Sequence, residues 1–215
     1  WEATQGGERF SQEQPFSGRE VASTPLKPGT TTITVDGVER PALNSNGKPI
    51  HWSEEGIRNF WRWFGSSDAV DPWGRPLILY HFTDNDIGGT FKQAQRKARI
   101  VDKSTGNWAR LAGDGIYYFT SDQDYRRSVG WGGTRFKHVV YLKLINPKLI
   151  TREESDRLFI DDAMEESIKA NGHDGTRSDD GVEITVFNSN QIKSATANTG
   201  AFSPEDPDIR YSLAT

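Results

Sequence analysis

The chain contains no cysteine, which excludes disulfide bonds, zinc–thiolate sites and cysteine nucleophiles. It has no run of about 20 apolar residues, so the sequence predicts no transmembrane helix. Basic residues do not dominate either. The formal net charge is −4, which argues against a protein that binds nucleic acid over its whole surface, although a local basic patch stays open. Hydrophobic residues are scarce, at 34% of 215 residues, so other side chains must supply much of the core.

Aromatic residues supply the missing core volume: they make up 11% of the chain and include seven tryptophans, which a disordered acidic chain would lack.

Residues 1–48 are rich in Gly, Ser, Thr, Pro and Glu, and predict a linker or N-terminal arm. A strand-like run at residues 31–35 followed by Asp36-Gly37 allows one hairpin there. Residues 49–215 predict one folded domain. Because the chain begins at Trp1, we expect it to be part of a longer polypeptide.

Short strands, few helices and many loops are predicted in this domain. Helices are expected at residues 53–64, with an apolar stripe of Ile57, Phe60, Trp61 and Phe64, and at residues 161–170. A capping-box pattern begins at Thr151, and a short helix is expected after Ser121. Strands are predicted at residues 77–82, 116–120, 138–145 and 181–187, and the tail from residue 188 is expected to be irregular. The sum is an α+β fold with a mixed, mostly antiparallel sheet.

Three features in or beside these strands carry candidate chemistry. His81 ends a buried strand, where a structural histidine is equally expected. Gly113-Asp114-Gly115-Ile116-Tyr117-Tyr118 combines glycines that allow close backbone approach with two tyrosines that ordinarily belong to a core. Strand alternation places Glu183 on the face opposite Ile184 and Val186, where a carboxylate meets water at a sheet edge or points into a cleft.

Together and in this order, the three features resemble the His-Tyr-Glu signature of the ADP-ribosyltransferase superfamily, shared by diphtheria-toxin-like and poly(ADP-ribose) polymerase-like enzymes. The chain is more similar still to the ADP-ribosyltransferase domains of phage and mobile-element polyvalent proteins and MuF-type toxins. The resemblance covers residues 50–215. The matching stretches are residues 57–66, 74–81, 113–120, 146–147, 182–187, 190–195 and 206–212.

The resemblance implies a split, mostly antiparallel sheet and NAD as co-substrate, without a metal. Glu183 is then the catalytic residue, which bonds a ribose hydroxyl and stabilises developing positive charge. His81 and Thr83 hold the donor through hydroxyl groups, and the backbone at Phe82 binds the carboxamide. One of Tyr117 and Tyr118 stacks on the nicotinamide, with Tyr125 as a second wall.

Two departures from the family pattern affect the expected site. The residue after the motif histidine is usually Gly, whereas here it is Phe82, which adds bulk near the nicotinamide. The Gly-Ile-Tyr-Tyr strand also carries one extra residue, so the family match selects Tyr117 or Tyr118, with a slight preference for Tyr118.

The acceptor is less defined. Arginine-modifying relatives carry Gln or Glu where this chain has Gly181, which weakens that acceptor class. Residues 91–110 carry six basic residues against one acid, a net charge of +5. Three interpretations of this stretch stay open: it binds the NAD pyrophosphate, it binds a nucleic-acid acceptor, or it is only a solvated loop.

The leading interpretation is an NAD-dependent mono-ADP-ribosyltransferase that modifies a macromolecular acceptor, protein or nucleic acid, as a bacterial or phage toxin or effector. An NAD glycohydrolase and a catalytically inactive interaction module are the alternatives. The resemblance further implies a monomer without a membrane partner, a cytoplasmic site of action after delivery within a larger polypeptide, and an immunity or antitoxin protein as a partner.

Overall fold

The computed structural model describes residues 24–83, 87–91, 99–101, 108–110, 117–121, 136–158 and 161–210; for residues 99–101, 108–110, 117 and 118 only the main chain is described. Its helices are α1 (Glu54–Phe64), α2 (Arg152–Leu158) and α3 (Asp162–Ala170), with a 3₁₀ turn at Ser189–Gln191. Its strands are β1 (Thr32–Val35), β2 (Val38–Pro41), β3 (Leu79–Thr83), β4 (Arg99–Val101), β5 (Trp108–Arg110), β6 (Tyr117–Thr120), β7 (Phe136–Leu142), β8 (Pro147–Ile150), β9 (Gly175–Ser178), β10 (Glu183–Val186) and β11 (Ile192–Ser194).

Seven strands form the main sheet in the order β11-β7-β3-β6-β10-β9-β8. All neighbours are antiparallel except β8 and β9, which confirms the predicted α+β fold with a mostly antiparallel sheet. β3 pairs with β7 along its whole length. Its register with β6, by contrast, joins Tyr80 to Thr120 at a single position. The pairing of β3 is therefore more extensive with β7 than with β6.

Helix α1 begins and ends as its sequence predicts. Ser53 Oγ accepts a hydrogen bond from the Gly56 N–H at 3.1 Å, and Gly65, at a φ of 62°, ends the helix. The helix buries its whole predicted stripe, and Trp63 in addition. Trp63 is tolerated in the core because its indole N–H donates to the carbonyl oxygen of Asn190 at 3.1 Å.

Two glycines make room for a buried histidine beside α1. A Cβ at Gly56 would lie 2.0 Å from His51 Nδ1, and one at Gly200 would lie 2.7 Å from His51 Cε1. Glycine inside a helix costs about 1 kcal/mol relative to alanine, so Gly56 is explained by this close approach. His51 thereby connects α1 to the segment around Gly200.

The β1–β2 hairpin turns at Asp36-Gly37, where its sequence predicts one. Ile33, Val35 and Ala42 lie in the same buried cluster as the aromatic side chains of α1. Trp61 strengthens this contact, because its indole N–H donates to the Pro41 carbonyl oxygen at 2.8 Å. The boundary near residue 49 between an arm and the catalytic domain stays a prediction.

Three strands of the main sheet lack a sequence signal. β8 begins at Pro147, where the pattern predicts a strand end. As the first residue of an edge strand, Pro147 costs no ladder hydrogen bond. β9 contains no large apolar residue. β11 lies in the tail expected to be irregular, and that expectation is wrong here because pairing with β7 stabilises three residues that include the buried Lys193.

Candidate functional site

The strands that carry the three candidate motifs are neighbours, in the order β3, β6, β10. Thr120 of β6 pairs with Tyr80 of β3 on one side and with Glu183 of β10 on the other. Neighbouring strands lie about 4.8 Å apart, so roughly 10 Å separates the main chains of β3 and β10 at this row. The register aligns Tyr80, and not His81, with Glu183. The fold thus brings the motif strands together, but the one-residue offset puts His81 and Glu183 in opposite alternating sets of the sheet.

His81 follows Tyr80, the residue of β3 that pairs with Thr120 of β6. Its half-buried ring packs edge-on against Phe91, with ring centroids 4.9 Å apart, and lies 5.4 Å from the ring of Phe119. On β7 it pairs with His138, and the two imidazole centroids are 6.4 Å apart. The two residues that follow, Phe82 and Thr83, are also half-buried. The rings of Phe91 and Phe119 therefore restrict the orientation of the imidazole.

The two candidate tyrosines occupy different register positions on β6. Tyr118 pairs with Thr185, two residues from the Thr120–Glu183 pair, whereas Tyr117 pairs with Val186. Tyr125 lies outside the described residues. So do most of the basic residues from Lys92 onward, although the main chains of β4 and β5 form an antiparallel pair that joins Arg99 to Arg110. The register alone thus distinguishes Tyr118 from Tyr117.

Glu183 is buried, with 5% of its surface exposed. Ser155 Oγ of α2 donates to Glu183 Oε2 at 2.7 Å, and Arg152 Nη2 of the same helix lies 3.0 Å from Glu183 Oε1. Each carboxylate oxygen therefore has its own donor. Of the two environments that alternation allows, open water at a sheet edge is ruled out, because α2 covers this face of β10.

Polar groups continue along that face of β10. The hydroxyl groups of Thr185 and Thr176 are hydrogen-bonded at 2.7 Å, and both residues are buried. The backbone N–H of Glu183 donates to Ser178 Oγ at 2.9 Å, and Ser178 Oγ donates to the carboxylate of Asp180. This bond is the main reason that the pKa of Asp180 lies below its ordinary value. Asp180 therefore stays ionised near Glu183 at neutral pH.

Arg152 and Ser155 were not identified from the sequence, where residues 151–180 read as a solvated acidic stretch. One local signal was present. Arginine in the first turn of a helix opposes the helix dipole, so Arg152 directly after the capping residue Thr151 indicates another role. A spacing of three residues then places Ser155 on the same helix face. Their contact with Glu183 needs the tertiary structure.

A pocket of about 190 Å³ opens beside β7, next to the strand of His81. Lys137, His138 and Val139 of β7 form one wall, and Ile209 and Arg210 form another. Arg210 is held there because its guanidinium donates to the carbonyl oxygen of Gly88 at 2.9 Å. The pocket thus combines basic and apolar side chains within reach of the His81 strand.

Within the described residues, no helix is both long and apolar enough to cross a bilayer. The same part of the chain holds no cluster of three or more His, Asp or Glu side chains arranged for a metal ion.

Comparison with known families adds one finding. The family model described as ADP-ribosyltransferase in polyvalent proteins matches residues 71–202, more than half of the 215 residues. No curated protein and no solved structure matches the chain. The matched segment runs from the turn before β3 to just beyond β11 and contains all three motif strands. The family match confirms the resemblance drawn from the sequence, and the chain belongs to the ADP-ribosyltransferases of polyvalent proteins.

Proposed function

We propose that this ADP-ribosyltransferase uses NAD as its co-substrate, transfers a single ADP-ribose unit to a macromolecular acceptor and employs Glu183 as its catalytic carboxylate. The observation that carries the proposal is the environment of Glu183. It is a buried carboxylate with a donor on each oxygen, on a strand beside the one with the motif tyrosines and two strands from His81.

The chemistry requires one carboxylate. The C1′–N bond of NAD breaks, its electron pair returns to the pyridinium nitrogen, and nicotinamide leaves as a neutral molecule without a general acid. The ribose develops oxocarbenium character, as in glycoside hydrolysis. An ionised glutamate stabilises that positive charge. The acceptor heteroatom then bonds to C1′ and releases a proton.

The remaining candidate residues bind the donor in this proposal. His81 and Thr83 contact ribose hydroxyls, and the backbone at Phe82 binds the carboxamide. The register favours Tyr118 for stacking, because its position belongs to the same alternating set as Thr120, the partner of Glu183. By the same alternation His81 belongs to the other set, with Phe119 and Ile184, so its role in donor binding rests on the family resemblance and not on the register.

A large acceptor can approach from the β9–β10 turn. Asp179 and Asp180 of this turn are exposed, and the turn leads directly into Glu183. Gly181 stands where arginine-modifying relatives carry Gln or Glu, so we propose an acceptor group other than arginine.

NAD labelled in its adenylate portion, incubated with the chain and a cell lysate, tests this function. We expect release of nicotinamide together with label in macromolecules. Loss of that label to nuclease or to protease identifies the acceptor class. Glu183→Gln keeps the shape but removes the charge, and we expect it to lower turnover by about 10³-fold, within the range seen for loss of a single electrostatic stabiliser.

Glu166→Gln, at an exposed position of α3, is the matched control and should keep full activity. Nicotinamide release without label transfer would replace the proposal with an NAD glycohydrolase. If the folded wild type releases no nicotinamide, the chain is a catalytically inactive interaction module.

A further inference from the structure

Helix α2 contributes two side chains to one carboxylate. Ser155 and Arg152 are three residues apart and therefore lie on the same helix face. Ser155 binds Oε2 and Arg152 binds Oε1, so the contacts restrain rotation of the carboxylate about its terminal bond. An ionised carboxylate offers about four acceptor sites, so two protein donors are compatible with a third bond from a ribose hydroxyl.

The start of α2 is itself fixed. The Thr151 N–H donates to Glu154 Oε2 at 2.8 Å, and the Glu154 N–H donates to Thr151 Oγ1 at 3.2 Å, which is a complete capping box. Ser155, with 1% of its surface exposed, is anchored one turn later. The capping box and the buried Ser155 therefore fix the position of the first turn of α2, which carries both donors.

Arg152 does not make the site positive. Its guanidinium also lies 3.6 Å from Asp180 Oδ2 and 3.9 Å from Asp156 Oδ1. With Glu183, these groups amount to one positive and three negative charges, a net charge of −2 for the four side chains. The arginine thus orients Glu183 while the surroundings keep the negative charge that an oxocarbenium ion requires.

We propose that Arg152 and Ser155 are positioning residues, which hold the Glu183 carboxylate in the orientation that stabilises the ribosyl cation. The inference rests on the proposed function. A carboxylate displaced by about 1 Å can cost on the order of 10²-fold in rate, so residues that do not touch the donor still affect kcat.

Steady-state nicotinamide release and calorimetric NAD binding test the proposal. We expect Ser155→Ala and Arg152→Met each to lower kcat by about 10- to 100-fold and to leave the Kd for NAD within about threefold, because the donor contacts are unchanged. Arg152→Lys should recover part of the rate. Arg157→Gln on the same helix is the control, since Arg157 is exposed and pairs with Asp161, the residue that caps α3.

A double-mutant cycle separates positioning from general stabilisation of the fold. In a Glu183→Gln background, Arg152→Met and Ser155→Ala should cause little further loss, because the charge that they position is gone. Equal losses in both backgrounds would overturn the proposal, as would a rise in turnover in Arg152→Met. Should Arg152→Met fail to fold, Ser155→Ala carries the same test with a smaller change.

The two proposals fail in distinguishable ways. If wild type and Arg157→Gln release no nicotinamide, the proposed function is wrong. If both are active and the Arg152 and Ser155 variants match them, the function stands and the positioning role is wrong.

Discussion

At the residue scale, burial alone does not mark a catalytic carboxylate. Glu165 is as buried as Glu183, with 6% and 5% of their surfaces exposed. Glu165, however, is paired with Lys169, one turn along the same helix, which is an ordinary intrahelical ion pair. The partners of Glu183 come from a separate element, and its strand lies beside a motif strand. The origin of the partners therefore distinguishes the candidate catalytic group from a structural one.

His81 is expected to act in donor binding. We predict that His81→Ala raises the KM for NAD at least about tenfold, equivalent to roughly 1.4 kcal/mol, with a smaller effect on kcat. His173→Ala is the control, because His173 contacts the Asn146 carbonyl oxygen beside β8, four strands from β3 in the sheet. If calorimetry shows that His81→Ala binds NAD as tightly as the wild type does, His81 is a structural histidine at a strand end.

His51 makes stability depend on pH. Burial is the main cause that lowers its pKa below the ordinary 6.5. Its Nδ1 accepts from the Ser53 N–H at 3.2 Å, which suits the neutral ring. Below pH 6.5 the unfolded state takes up a proton that the folded state resists, so the contribution of His51 is complete above pH 6.5 and is lost as pH falls towards the folded pKa.

We therefore predict that the free energy of unfolding of the wild type falls between pH 7.5 and 5 by up to about 1.4 kcal/mol per pH unit more than that of His51→Asn. Urea unfolding at a series of pH values measures this difference. His51→Asn will be less stable at pH 7.5 because it leaves space unfilled. Parallel pH profiles for the two proteins would show that His51 does not carry the effect.

At the element scale, the pairing of β6 with β10 gives the two motif tyrosines different positions opposite β10. The position of Tyr118 is opposite Thr185, and that of Tyr117 is opposite Val186, which belongs to the core. We predict that Tyr118→Ala raises the KM for NAD at least about fivefold, through loss of a ring contact worth about 1 kcal/mol, while Tyr118→Phe keeps it. Tyr117→Ala should instead lower the melting temperature. The opposite assignment of the two effects would select Tyr117.

At the scale of the whole molecule, the hairpin β1–β2 tests where the catalytic domain begins. Ile33 and Val35 share the buried cluster with α1, and each buried side chain of this size contributes about 1.5–3 kcal/mol. We predict that a chain starting at residue 49 melts about 10 °C or more below one starting at residue 24, because 1 kcal/mol corresponds to about 2–4 °C for this size. Equal melting temperatures would show that residues 24–48 are an arm without a stabilising role.

The sequence predicted those parts of the fold that rest on local patterns. The spacing of apolar residues and the cap at Ser53 predicted α1, and short apolar runs predicted β3, β6, β7 and β10 within a few residues. In the main sheet, the strands β8, β9 and β11 were not predicted because they are short, partly polar and stabilised by pairing with other strands. The short strands β4 and β5, in the basic stretch, were not predicted either.

By itself, the sequence determined the residue types, their order and the family: a histidine, a Gly-Ile-Tyr-Tyr strand and a glutamate that together resemble one superfamily. The tertiary structure alone decided that Thr120 joins Tyr80 to Glu183, that Glu183 is buried, and that Arg152 and Ser155 bind its two oxygens. The physical reason is that register and helix packing are set by contacts between residues far apart in the chain. No local periodicity records those contacts.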